Sequence, residues 1–229
     1  MDRATEAALA AADPVMAGLI AAAGACTLRP ARQQQPYESL LSAIAHQQLN
    51  GTAAATILRR FQDLYPVAER LPRSRYPQPA AVLATPEETL RGAGLSRAKV
   101  LAVKDIAAKT LEGVVPPRRT LAKLDDEAII RQLVAVRGVG RWTVEMFLMF
   151  TLGRPDVLPA ADFGVQNGFR LAYGKREMPS HKALAAFGER WAPFRTTAAW
   201  YLWRAVDLHK AGQLPAPPSR SKGASRLVK

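Results

Sequence analysis

The feature that most constrains this chain is the recurrence of apolar side chains at helical spacing along almost its full length. Leu40, Leu41 and Ile44 share one helical face, and Ile57, Leu58 and Phe61 repeat the pattern beyond a break expected at Asn50-Gly51. Thr85, Pro86 and Glu88 read as the N-cap, first position and third residue of another helix, ended by Gly92 and Gly94. Ser96 caps a further helix closed by Gly113, and Asp125 or Asp126 caps D-E-A-I-I-R-Q-L-V-A-V. An apolar helix is expected to run to Leu152, followed by a turn at Gly153-Arg154-Pro155, and two more helices over 183–187 and 196–208. The segments Pro72 to Pro79 and Pro116-Pro117 read as loops. No run alternates long enough to predict a sheet. The expected fold class is all-α.

With 229 residues, 48% of them hydrophobic, the chain can bury the core of one sizeable domain or two small ones. Its 32 Lys and Arg against 19 acids give a formal charge of +13, which favours a polyanionic partner, most commonly nucleic acid. The stretch 212–229 carries four of those positive charges and no acid, and reads as a flexible basic tail. Removing it leaves +9, so the excess belongs mainly to residues 1–211. A lone cysteine, Cys26, excludes an intrachain disulfide and an all-cysteine cluster supplied by this chain. His46, His181 and His209 are far apart and lack zinc-binding spacing. The N-terminus lacks the pattern of a signal peptide, and no uninterrupted apolar run reaches about 18 residues, so a cytosolic protein that does not span a membrane is expected.

Between Val136 and Phe150 the chain reads V-R-G-V-G-R-W-T-V-E-M-F-L-M-F. One glycine is enough to end a helix in a turn. Two in three residues strip side chains from the turn and expose backbone N–H groups at the start of the next helix. Those donors, with the positive end of the helix dipole, suit a phosphate oxygen, and Arg137 and Arg141 add charge on either side. Such a site positions a protein on the nucleic-acid backbone without reading bases.

L-V-A-V-R-G-V-G-R-W-T resembles the helix-hairpin-helix signature of the DNA glycosylase superfamily that includes endonuclease III. L-P-A-A-D-F-G-V-Q-N-G-F matches the loop in which that family carries an aspartate, here Asp162, 22 residues after Gly140. The likeness extends to L-L-S-A-I-A-H-Q-Q-L and G-L-S-R-A-K-V, covers roughly positions 37 to 205, and is strongest to the 3-methyladenine DNA glycosylase II branch through G-R-W-T, A-D-F-G-V-Q and R-W-A-P-F-R. The resemblance implies two helical subdomains with a DNA-facing cleft between them, the hairpin and Asp162 at its mouth. Bifunctional members carry a lysine where this chain has Trp142, and Schiff-base chemistry needs that amine, so a monofunctional enzyme is implied. Members with an iron–sulfur cluster need four cysteines near the C-terminus, so no cluster is expected. About 36 residues precede the first matched helix, too few for the extra N-terminal β domain of some relatives.

The implied function is hydrolytic excision of alkylated bases, chiefly 3-methyladenine and related N-methylated purines, from double-stranded DNA, leaving an abasic site. Asp162 is the expected catalytic carboxylate, with Asp156 its rival; from the residues alone, Asp162 also reads as an N-cap. Arg137, Gly138, Val139, Gly140, Arg141 and Thr143 are the expected DNA-binding residues. Trp142, Met146 and Trp203 are the expected base pocket, with Trp200 competing with its neighbour Trp203. Met146 stands where some relatives have tyrosine. Gln48 or Leu49 is the wedge that fills the gap left by a flipped nucleotide; the alternative for His46 to Leu49 is a plain helix end. No cofactor is required, although the family's hairpin can hold Na+ or K+ on main-chain carbonyls, here those of Val134, Val136 and Val139. A monomer acting in the bacterial cytosol or nucleoid is expected. Two other readings stand beside this one: excision of oxidised or mismatched bases on the same fold, and a hairpin module that docks on DNA without catalysis.

Overall fold

Helix starts written into the sequence set the architecture. The computed structural model describes residues 3–31, 33–49 and 51–217. Of the tail expected over 212–229, residues 218–229 lie outside the described residues, as does the expected break residue Asn50. Chain order begins with α1 (Arg3–Ala12) and α2 (Pro14–Ala23). It continues with α3 (Pro36–His46), α4 (Gly51–Asp63), α5 (Pro79–Ala84), α6 (Glu87–Gly92), α7 (Arg97–Leu111), α8 (Arg118–Leu121), α9 (Asp126–Leu133) and α10 (Arg141–Phe147). It ends with α11 (Phe163–Ala172), α12 (His181–Gly188) and α13 (Arg195–Lys210). Among the described residues there is no strand, only one isolated bridge between Arg70 and Pro77. The all-α expectation holds.

The chain divides into two helical units. One comprises the chain up to Arg29 together with everything from Arg154 onward; the other is Pro30–Gly153. In the first unit, α13 packs along α11 and against α2. Asp13 sets the N-terminal corner. It caps α2 through the Val15 N–H at 2.9 Å, while its second oxygen accepts from the Tyr173 hydroxyl at 2.6 Å and the Trp191 indole at 3.0 Å. A buried carboxylate is tolerated when donors surround it, and here three do. The sequence signal was present in A-D-P-V, an N-cap followed by proline at the first helical position.

In the second unit α7 is central, packing on α3 and α5. Its buried face of Val100, Val103, Ile106 and Ala107 belongs to the same core as Leu40, Leu41 and Ile44 of α3. Ser96 caps α7 through the Lys99 N–H, as expected. Asp125 rather than Asp126 caps α9, accepting from Ala128 N–H at 2.7 Å.

Three local expectations are corrected. Thr85 does not cap α6; its hydroxyl bonds back to the Ala81 carbonyl at 2.8 Å and meets the Tyr65 hydroxyl, so Pro86 stands at the cap and Glu87 begins the helix. A preceding short helix claims Thr85, because Pro79 starts α5 instead of ending a loop. The apolar helix expected to reach Leu152 is α-helical only to Phe147 and widens into a π turn over Leu148–Leu152, ended by Gly153 at φ +75°. Arg118 donates to the Thr151 carbonyl and, at 2.9 Å, to that of Leu152, which satisfies the carbonyls at this irregular end.

Candidate active site

Asp162 is the residue before α11 begins, in extended conformation, and it caps that helix: Oδ1 accepts from the Val165 N–H at 2.8 Å. The same oxygen accepts from the Trp203 indole Nε1–H at 2.8 Å. Two donors from different helices, α11 and α13, therefore fix the orientation of one half-exposed carboxylate. The cap expected from the sequence is present, and it leaves the carboxylate half-exposed.

Gly164 makes the Trp203 contact possible. A Cβ there would lie 2.8 Å from Trp203 Cδ1, 2.9 Å from its Nε1 and 3.1 Å from Asp162 Oδ1. One turn on, a Cβ at Gly168 would sit 1.9 Å from the Leu202 carbonyl oxygen. Both glycines thus let α11 and α13 approach closely enough to bring indole and carboxylate together. Sequence reasoning took A-D-F-G-V-Q as a matching string and gave its glycine no task; the spacing of Gly164 and Gly168 on one helical face was the signal available.

The two pairs of rival residues in this unit have different surroundings. Trp200 is buried, edge-on to Tyr201 with a ring separation of 4.9 Å, and belongs to the core. Trp203 is the tryptophan beside Asp162. Asp156 is held by Arg195 through both carboxylate oxygens at 2.8 and 2.9 Å and also accepts the Arg195 backbone N–H at 3.2 Å. Burial pushes its carboxyl up, but the Arg195 donors outweigh burial and leave it below its ordinary value. That residue anchors the start of α13. Phe163, next to Asp162, was missed: it is 73% exposed, an aromatic ring kept at the surface while Val165, Gln166 and Phe169 turn inward.

The hairpin lies in the other unit. Gly138 adopts φ +78°, where only glycine is unstrained, and a Cβ would crowd Ala102 Cβ at 3.1 Å and Ile44 Cδ1 at 3.2 Å. Gly140 is different. Its backbone is extended (φ −92°, ψ 171°), and nothing lies within 4 Å of where its Cβ would be. It occupies the cap of α10 without a side chain to cap it. The hairpin from Val134 to Gly140 lines an open, polar concavity of about 480 Å³ together with Asp105. Asp105 already takes the Arg137 backbone N–H at 2.7 Å, so that amide serves the fold.

Arg141 differs from the simple picture of a flanking charge. Its guanidinium donates to Glu127 through NH1 at 3.1 Å and through NH2, and its Nε donates to Glu145 at 3.1 Å. Arg141 holds Glu127 below the usual carboxylate range by hydrogen bonding. Glu145 is buried, so Arg141 also compensates a desolvated charge. Thr143, expected to bind DNA, is buried as a whole residue at 4% exposure, because it faces the core side of α10. Trp142 is 44% exposed and Met146, one turn on, is half-buried. Gln48 and Leu49 are both exposed in the loop after α3, and Gln48 has φ +58°, a left-handed backbone uncommon for a residue with a side chain. Among the described residues no group of three or more His, Cys, Asp or Glu could hold a metal ion, and no helix is long and apolar enough to cross a membrane.

One all-helical unit carries the glycine hairpin, and the other a capped aspartate that accepts from a tryptophan indole. The profile of the HhH-GPD superfamily of base excision DNA repair proteins matches residues 41–193, and the chain belongs to that superfamily. It is 37% identical to DNA-3-methyladenine glycosylase 1 of Schizosaccharomyces pombe over 79% of this chain and 76% of that protein. It is 32% identical to the alkylbase DNA glycosidase-like protein mag2 of the same yeast over 90% of this chain and 94% of that one. Among solved structures, the S. pombe 3-methyladenine DNA glycosylase (Mag1) in complex with abasic DNA superposes with a TM-score of 0.77 at 35% identity, covering 87% of this chain and 95% of that one.

Proposed function

We propose that this protein is a monofunctional DNA glycosylase that hydrolyses the bond between deoxyribose and an alkylated base, chiefly N3-methylated purines such as 3-methyladenine. The observation that carries the reading is Asp162, held by the Val165 amide and the Trp203 indole at the start of α11. Breaking the glycosidic bond builds positive charge on the sugar, and a carboxylate held in one orientation stabilises it. Water adds its oxygen to C1′, the glycosidic electron pair leaves with the base, and the carboxylate takes the water proton. A neutral purine would need a second acid to protonate it as it leaves. A base already positive through methylation leaves neutral without one, which suits a site with a single such aspartate.

Each unit supplies part of this reading. Asp162 and Trp203 come from one; the hairpin, Trp142, Met146 and the loop after α3 come from the other. Gly140 and the first amides of α10 are placed to receive a DNA phosphate with the positive end of the helix dipole, and Arg137 adds charge beside them. The target base is inaccessible within a duplex and must be flipped. A cationic base stacks well on tryptophan, for which Trp142 and Trp203 stand ready, and Gln48 or Leu49 takes the vacated space. The carbonyls of Val134, Val136 and Val139 suit a monovalent cation: Val136 O accepts the Val139 N–H at 3.0 Å and keeps a second lone pair. Such an ion would stiffen the hairpin and take no part in the chemistry. The enzyme acts as a monomer in the cytosol.

Purified protein incubated with methylated duplex should release free 3-methyladenine, identified by chromatography. Asp162→Asn should lower the single-turnover rate about 10²–10⁴-fold while keeping duplex binding. Equal release by parent and Asp162→Asn would remove Asp162 from the chemistry. Efficient release of 8-oxoguanine instead would favour a neutral-base enzyme, and binding without release of any base would leave a docking module.

A further inference from the structure

The Gln47 side chain reaches across from the end of α3 and donates from Nε2 to the carbonyl oxygen of Gly138 at 3.0 Å. Three features give this contact more weight than a surface hydrogen bond usually has. First, Gly138 is a constrained position: its backbone has positive φ, and a Cβ there would lie 3.1 Å from Ala102 Cβ and 3.2 Å from Ile44 Cδ1. Second, the end of α3 that leads into the same loop is also tied, since Lys99 Nζ of α7 donates to the Ala45 carbonyl at 2.9 Å. Third, the residue immediately after Gln47 is Gln48 at φ +58°, a left-handed conformation that persists only where its surroundings hold it. A rigid hairpin and a central helix thus hold the loop by its base, while Gln48 and Leu49 project at its tip.

We propose that Gln47 is a positioning residue that couples the phosphate-binding hairpin to the base-flipping wedge. The inference rests on the function proposed above and deepens it. Binding of a DNA phosphate at the hairpin fixes where the backbone lies; the amide of Gln47 then fixes the wedge relative to that backbone. Without the strut, the hairpin still docks, but the wedge samples several positions and enters the base stack less often. Gln47 touches neither the base nor the sugar in this scheme. It acts through its neighbours, so its loss should separate docking from flipping.

Gln47→Met keeps the length and volume of the side chain and removes the donor; Gln47→Glu places a negative oxygen against the Gly138 carbonyl. The side chain is half-exposed, so neither variant threatens the core. Three quantities are measured on each: affinity for undamaged duplex, fluorescence of 2-aminopurine placed beside the lesion as a report of flipping, and the single-turnover rate of 3-methyladenine release. The expected result for Gln47→Met is undamaged-duplex affinity within about twofold of the parent, with flipping signal and release rate both lowered about five- to tenfold, the size of one lost hydrogen bond. Gln47→Glu should fall further in the same two readouts. Release within twofold of the parent in both variants would overturn the proposal. So would equal losses in duplex affinity and release, which would make Gln47 an ordinary binding residue. No release by the parent protein would instead sink the glycosylase reading itself.

Discussion

In α11, Gly164 and Gly168 face atoms of α13 that leave no room for a methyl group; in the hairpin, Gly138 is needed by its own backbone while Gly140 has open space around it. The first pair exists for the inside of the protein. It lets two helices close on each other until Trp203 meets Asp162. The hairpin pair is mixed: Gly138 makes the turn, whereas no contact within 4 Å and no strain accounts for Gly140. In the function proposed above, the bare helix start at Gly140 is where a DNA phosphate would approach the backbone. The ion pairs show the same contrast. Arg195 and Asp156 are a partly buried anchor for α13, with side chains 26% and 29% exposed, whereas Arg141 and Glu127 lie at 55% and 56%.

The contrast can be broken most forcefully at Gly168. Gly168→Ala should cost about 3 kcal/mol, since the methyl would collide with main chain that cannot rotate away, and should lower Tm by about 6–12 °C. Asp156→Asn should cost about 2 kcal/mol at neutral pH by removing a charged partner of Arg195. The sign of its pH dependence follows from the depressed folded pKa. The stabilisation is present above the ordinary aspartate value, about 3.9, and disappears as pH falls through the lower folded value. Denaturant melts of parent and variant should therefore converge as pH falls below the ordinary aspartate value.

Gly138→Ala should cost about 1–2 kcal/mol through its left-handed backbone and its crowding of Ala102 and Ile44. Gly140→Ala sharpens the comparison. Its stability should fall by only about 0.5–1 kcal/mol, because alanine is a poorer N-cap than glycine, yet duplex affinity should fall about tenfold as the methyl intrudes on the phosphate. A Gly140→Ala protein that binds DNA as well as the parent would refute the outward role of that glycine. The smallest effect is expected at Glu127→Gln. An exposed pair should change stability by less than about 0.5 kcal/mol, while duplex affinity rises about two- to fivefold because Arg141 is released from competition with a carboxylate. Titrations across salt concentration would check this, with a steeper slope expected for the variant.

Much of the architecture was legible because its signals are local. The helix cap at Ser96, the turn at Gly138 and the cap at Asp162 each depend on a few consecutive residues and are found where the sequence placed them, and of the two aspartates offered for α9 the first is the cap. Thr85 shows where local reading stops: two short helices compete for one threonine, and the earlier one takes it. The two N-terminal helices went unassigned, although Asp13-Pro14 marked the start of one of them.

By itself, then, the sequence determined an all-helical chain, a glycine hairpin with a bare helix start, and an aspartate capping the helix after it, because hydrogen bonds and backbone preferences within one or two turns decide such features. Only tertiary structure decided which tryptophan meets Asp162, that Gln47 braces the hairpin, and that Arg141 is already held by Glu127. Those partners lie 41, 91 and 14 residues apart. Proximity between such positions is set by how helices pack, and side-chain volume at a glycine on one helix and a carbonyl on another is a pairwise fact that no single stretch of sequence records.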